Sequence, residues 1–216
     1  TTKKGKEGKL SVQFSSSTEF SKAYMTPEFQ STYGNKKDMY ESWGEKLATP
    51  SAYDPKDDFF NTGTNFINSL TLTTGTKQNQ TFASVSSTNS AGIVPNNSYD
   101  RLNFTIRNTA TFFKDKLQLD LGASYVKQKD RNMVSQGQYW NPVMAAYLFP
   151  RGENFEDIKT FERYDDSRKF PVQYWPVSEP TYASQNPYWT AYRNVATNEK
   201  SRYMFNVGLT YKITDW

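Results

Sequence analysis

Residues 101–127 carry two runs of strict alternation. Leu102, Phe104, Ile106, Asn108, Ala110 and Phe112 share one side of the first run, while Arg101, Asn103, Thr105, Arg107, Thr109 and Thr111 share the other. That period of two is the spacing at which successive side chains of a strand point to opposite faces. Leu117, Leu119, Leu121, Ala123 and Tyr125 repeat it against Gln118, Asp120, Gly122, Ser124 and Val126. With Lys114, Asp115 and Lys116 between them, the runs predict a long antiparallel hairpin with one apolar and one polar face.

The same period marks strands elsewhere. Leu10, Val12 and Phe14 alternate with Ser11, Gln13 and Ser15. Phe60, Phe66, Leu70 and Leu72 share a side, and Tyr203, Phe205, Val207, Leu209 and Tyr211 alternate near the end. At 79–86 the apolar face is ambiguous, because Ala83 and Val85 oppose Phe82. The pattern predicts an all-β chain with strands at 10–20, 59–73, 79–86, 99–113, 117–127 and 201–212. Gly75 is expected to supply positive φ in the short turn after the second strand, and short helical turns are expected near 27–33 and 38–47.

The connections run long, short, medium, short, very long. In an up-and-down sheet the odd connections gather at one end and the even ones at the other, so one end is trimmed and the other elaborated. Outer-membrane barrels have this layout, with short periplasmic turns and long extracellular loops. A soluble sheet buried on one face shows the same alternation, so composition has to weigh between the two.

Hydrophobic residues make up 36% of the 216 and aromatic residues 16%, at a mean hydropathy of −0.83. A chain so polar and yet so aromatic is unlike a disordered one. No run approaches the roughly 20 apolar residues of a membrane-spanning helix, so a membrane role requires a closed barrel. The polar sides hold Ser, Thr, Asn and Gln with Arg101, Arg107, Asp120 and Arg202, as suits a water-filled lumen. Phe59, Phe60, Tyr99, Phe112, Phe113, Tyr125, Tyr203 and Tyr211 gather near run ends, where membrane barrels carry aromatic girdles. Cys and His are absent, which removes disulfides, thiol chemistry, the usual triads and most transition-metal sites. The net charge of +4 comes from scattered residues and marks no nucleic-acid surface.

Several motifs occur in an order that resembles one family. They are the opening TTKKGKEGK, the pair Trp43-Gly44, Asp58-Phe59-Phe60-Asn61-Thr62-Gly63 before a strand, Gly92-Ile93-Val94-Pro95-Asn96-Asn97 before Tyr99-Asp100-Arg101, and Asn186-Pro187-Tyr188-Trp189 in the last loop. Together they resemble the SusC/RagA family of TonB-dependent outer-membrane transporters, in which a run like the first closes the plug. The resemblance implies that residues 1–9 end a plug and that 10–216 form the N-terminal part of an up-and-down antiparallel transmembrane β-barrel with long extracellular loops. That is about the first six of roughly 22 strands, within a longer polypeptide. It further implies a bacterial outer-membrane location in contact with lipid, and TonB engaged through a preceding segment. A SusD-like lipoprotein would cover the extracellular face, and the cargo would be oligosaccharides or peptides, with no cofactor and no enzymatic step. The alternative is a soluble β-sheet carbohydrate-binding or adhesin module, and a glycoside hydrolase ranks third.

Under this reading Tyr139, Trp140, Trp175, Tyr188 and Trp189 are the candidate substrate contacts, since aromatic faces stack on sugars or pack on peptide side chains. The competing reading is that so long a loop needs its own small core, which these rings supply. Arg101, Arg107, Asp120 and Arg202 are expected to face the lumen and plug, with ion pairing as their structural alternative. Asp54, Asp57 and Asp58 lack a full calcium ligand set, and nothing positions Glu153, Glu156, Asp157, Asp165 or Asp166 as a hydrolytic pair. Asn141-Pro142 and Asn186-Pro187 read as turn formers. No catalytic or metal-binding residue is assigned.

Overall fold

The computed structural model describes residues 8–182 and 184–214. The plug-closing run expected at the start lies mostly outside them. Six long strands, β1 (Gly8–Ser21), β2 (Gly63–Gly75), β3 (Asn79–Ala91), β4 (Ser98–Phe112), β5 (Leu117–Arg131) and β8 (Thr197–Tyr211), form one antiparallel up-and-down sheet in that order. A small hairpin, β6 (Glu162–Asp165) with β7 (Phe170–Gln173), stands apart within the last connection. The sheet is open: among the described residues the outer edges of β1 and β8 have no strand beside them.

Residues directly opposite each other in an antiparallel pair project from the same face, so the register assigns both faces. Val12, Leu72, Ala83, Ile106, Ala123 and Phe205 form an unbroken row across all six strands. Phe14, Leu70, Val85, Phe104, Tyr125 and Tyr203 form the next. Leu121 opposite Val207, Leu119 opposite Leu209 and Leu117 opposite Tyr211 widen this band toward the short turns. Arg101, Arg107, Asp120 and Arg202 all share the other face. The ambiguity at β3 resolves accordingly: Ala83 and Val85 join the apolar rows, and Phe82, opposite Arg107, is buried on the polar face.

The apolar band is uncovered. Phe14 is 67% exposed, Phe205 79% and Leu209 69%. Within it Asn108 is satisfied across the strands, its amide donating to Asn79 Oδ1 at 2.7 Å and Thr81 Oγ1 at 2.9 Å.

Several boundaries differ from those the alternation predicts. The second strand begins at Gly63, because Phe59 and Phe60 turn away into the loops: Asn61 N–H donates to Ile93 O at 2.8 Å. β3 continues to Ala91, β5 to Arg131, and β8 starts at Thr197. In these extensions both faces are polar, so a strand that is fully paired shows no hydrophobic period. Strands of 13–15 residues reach about 43–50 Å at roughly 3.3 Å per residue. That exceeds the band.

The two short connections lie at one end. In the first, Gly75 does not adopt positive φ. It closes β2, and a Cβ there would lie 2.5 Å from Asn79 O and 2.7 Å from Gln80 Cα, so close approach of the partner strand excludes a side chain. In the second, Phe113, Lys114 and Asp115 reverse the chain at φ of 55°, 56° and 65°. The other three connections, residues 22–62, 92–97 and 132–196, meet at the opposite end, and the middle one is only six residues because β3 runs on to Ala91. The helical turns expected near 27–33 and 38–47 do not form there; the first loop instead holds one short helix, α1 (Pro55–Asp58).

Candidate functional site

The long connections fold into a layer with its own core. Phe59, Val94, Ala146, Phe149, Phe155 and Ile158 are buried together, drawn from all three loops. α1 delivers Phe59: Asp54 caps it by accepting Lys56 N–H at 2.9 Å, and Asp58 Oδ2 accepts Asp54 N–H at 2.8 Å. The last loop adds helix α2 (Pro142–Leu148) and a 3-10 turn at Phe155–Lys159. Rings fill the interior, with Tyr53 stacked on Phe155 at 4.1 Å between centroids and Phe149 edge-on to Trp175 at 5.8 Å.

Asn186 holds this layer together. It is fully buried, and its Nδ2 donates to Ile158 O at 2.8 Å and Tyr174 O at 2.9 Å. Its Oδ1 accepts from Tyr188 N–H at 2.8 Å and Trp189 N–H at 3.3 Å, capping helix α3 (Pro187–Tyr192). Asn141 caps α2 in the same way. Both Asn-Pro pairs are therefore helix starts rather than simple turns: Asn satisfies the orphan N–H groups and Pro occupies the first helical position, where no N–H is needed.

The five aromatic candidates separate into two environments. Trp175 and Tyr188 pack on the buried cluster. Trp175 Nε1 donates to Tyr40 Oη at 3.0 Å, and the Tyr188 ring meets Phe59 edge-on. Burial pushes the Tyr188 phenol up to about 12. Tyr139 and Trp140 are exposed ahead of α2, and Trp189 is half-buried in α3. Trp140 lines a small cavity of about 50 Å³ with Val94, Met133 and Thr190.

Two larger grooves open on the layer, and none of the five aromatic candidates lines either. One, of about 630 Å³, runs past Phe29, Tyr40, Trp43 and Tyr147, with Glu28 and Glu41 beside them. The other, of about 380 Å³, lies beside Tyr53, Asp58, Glu153 and Glu156. Arg151 borders both. Its Nη1 donates to Tyr53 O at 2.6 Å, and its guanidinium stands 5.1 Å from the Phe29 ring centre and 5.4 Å from that of Tyr53. Burial lowers the Arg151 pKa, against the pull of Tyr53 and Asp54, and raises that of Tyr53.

The loop carboxylates serve the scaffold. Asp165 accepts from Ser167 and Arg168 in the β6–β7 turn, Glu156 pairs with Lys159, and Glu162 takes Arg193 through two bonds of 2.7 and 2.6 Å. Hydrogen bonding to Arg193 holds Glu162 below the usual carboxylate range. Among the described residues no group of three or more metal-ligating side chains converges. On the polar sheet face, Asp120 accepts from Thr109 Oγ1 at 2.6 Å and from Gln118, while Arg101 Nε donates to Asn103 Oδ1 at 2.9 Å.

No family model matches the chain. Over 193 residues, 88% of its length, it is 24% identical to the TonB-dependent receptor SusC of Bacteroides thetaiotaomicron. The aligned part covers 18% of that relative. A six-stranded up-and-down sheet with loops elaborated at one end is thus similar in sequence, nearly throughout, to a segment of a TonB-dependent receptor.

Proposed function

We propose that the chain forms the first part of the barrel of a TonB-dependent outer-membrane importer for oligosaccharides or peptides. One observation carries this reading: two apolar rows run unbroken across all six strands and lie uncovered, while the opposite face is polar. In water such a band, crossing six strands, is a large exposed patch; in lipid it is the required surface, with the polar face turned to the lumen. A soluble module would enclose its apolar rows, yet the buried cluster lies in the loop layer. The similarity to a TonB-dependent receptor supports the same assignment.

In this arrangement the short turns face the periplasm and the loop layer faces outward. Arg101, Arg107, Asp120 and Arg202 look toward the plug and the transport path. A SusD-like lipoprotein would close over the loop layer, and TonB would act through a segment outside this chain. The open edges of β1 and β8 pair with further strands of the same barrel, since only closure removes edges in a bilayer. The test is the behaviour of the intact polypeptide carrying this sequence. It should require detergent to stay monodisperse and should migrate differently on gels before and after heating. A protein monodisperse in detergent-free buffer would overturn the assignment.

A further inference from the structure

We infer that the outward face of the sheet, just beyond its apolar rows, holds the phosphate of an outer-leaflet lipid headgroup, with Lys127 and Arg131 of β5 as its cationic contacts. The inference rests on the barrel reading above and adds a lipid site that the reading does not itself require.

Lys127, Lys129 and Arg131 stand on the same side of β5 as Leu121, Ala123 and Tyr125, and all three are exposed. Their charges therefore project from the face that carries the apolar rows. Tyr125 and Tyr203 end those rows with ring centroids 4.8 Å apart, as an interfacial aromatic girdle would. The ten residues from Leu117 to Lys127 cover about 33 Å of strand at roughly 3.3 Å each. At a tilt of about 40° that is a height of about 25 Å, the extent of an outer-membrane apolar band. Lys127 thus lies at headgroup level on the side of the long loops, with Lys129 and Arg131 further out.

Ion pairing within the sheet accounts for Lys129 and not for its neighbours. Lys129 lies between Asp100 and Glu199 in the register, and its Nζ meets Glu199 Oε1 at 3.0 Å. Lys127 lies between Leu102 and Ser201, and Arg131 between Ser98 and Thr197, so neither has a carboxylate opposite it. Arg131 Nη1 donates to Asn96 Oδ1 at 3.3 Å, which leaves most of a five-donor fork open. Both nearby carboxylates are engaged: Asp100 Oδ1 accepts from Asn89 at 2.8 Å, and Glu199 accepts from Lys129. Across β1, β2 and β3 the Lys127 row continues through Ser16, Asn68 and Ser87, and the Lys129 row through Thr18, Phe66 and Asn89. The cations of these rows are gathered on β5.

A phosphate suits what is left over. The Cα atoms of residues 127 and 131 stand about 13 Å apart along the strand, a span that two long side chains close on a single anion. Arg131 can take two phosphate oxygens through its fork, and Lys127 supplies a point charge. An acyl chain attached to that phosphate would run down over Leu102, Phe104 and Tyr125, which favours a lipid over a soluble anion.

The experiment is native mass spectrometry of the intact polypeptide in neutral detergent. It is titrated with an acylated glucosamine disaccharide carrying one phosphate, with the same lipid lacking the phosphate, and with inorganic phosphate as competitor. The phosphorylated lipid should be retained about tenfold or more tightly than its dephosphorylated counterpart, and equimolar inorganic phosphate should not displace it. Lys127→Gln and Arg131→Gln together should weaken retention about tenfold or more, at about fivefold for each cation near a charged surface. Lys200→Gln should leave it unchanged, because Lys200 pairs with Gln128 on the polar face. Equal retention of the two lipids, displacement by inorganic phosphate, an unaffected double variant or an equal loss in Lys200→Gln each overturns the inference. A polypeptide with heat-dependent gel mobility that gives one of those results keeps the barrel and loses the lipid site. One that is monodisperse without detergent loses both.

Discussion

The indole N–H of Trp175 donates to the phenolic oxygen of Tyr40 across 3.0 Å, tying the last long connection to the first. Tyr40 Oη in turn donates to Ser184 O at 3.3 Å. Trp175→Phe keeps a ring on the cluster and drops the donor, and it should weaken the loop layer by about 1 kcal/mol. Hydrogen exchange should rise in residues 22–62 and 132–196 while the six strands stay protected.

Asn186 is the most demanding position in the layer. Asn186→Ala removes a helix cap and leaves the carbonyls of Ile158 and Tyr174 without their donor, at an expected cost of about 3 kcal/mol. Asn186→Asp should be at least as harmful, although Asp caps helices well, because it sets a carboxylate against two buried carbonyls. Limited proteolysis of the last loop compares the two variants. Survival of the loop in the Asp variant would show that capping, and not the pair of buried donors, is what matters.

Acid should loosen the contact between the first and last loops. Glu179 is held below the ordinary glutamate value of 4.5 by the Thr181 hydroxyl and by Tyr40 N–H. A carboxylate whose folded pKa is depressed contributes stability above its unfolded pKa and loses that contribution as pH falls through the folded one. Hydrogen exchange at Tyr40 should therefore accelerate as pH drops below 4.5, beyond its intrinsic change, and Glu179→Gln should flatten that response.

The sheet was legible from sequence wherever its two faces meet different surroundings. Leu102 to Phe112 and Tyr203 to Tyr211 alternate because one side is apolar. Where β3 runs through Ser86 to Ser90 and β5 through Lys127 to Arg131, both sides are polar and the period vanishes although pairing continues. The loop layer was far less legible. Phe59 and Phe60 fit a strand pattern but are claimed by a core whose other members lie up to a hundred residues away. The Asn-Pro pairs did carry a readable local signal, a cap followed by a first-turn proline. Trp43 was marked only as half of a family motif and Arg151 not at all, because a groove assembled from two distant loops has no period and no spacing.

The central claim is that the apolar rows face lipid, and neighbours on β4 test it most directly. Phe104 lies in an apolar row and Thr105 on the polar face. Phe104→Arg and Thr105→Arg should be introduced separately into the intact polypeptide, and folding into lipid bilayers followed by heat-dependent gel mobility. Phe104→Arg should cost about 2–4 kcal/mol of membrane stability, depending on depth, while Thr105→Arg is tolerated. Equal tolerance of both, or loss of assembly with Thr105→Arg alone, would contradict the assignment of faces.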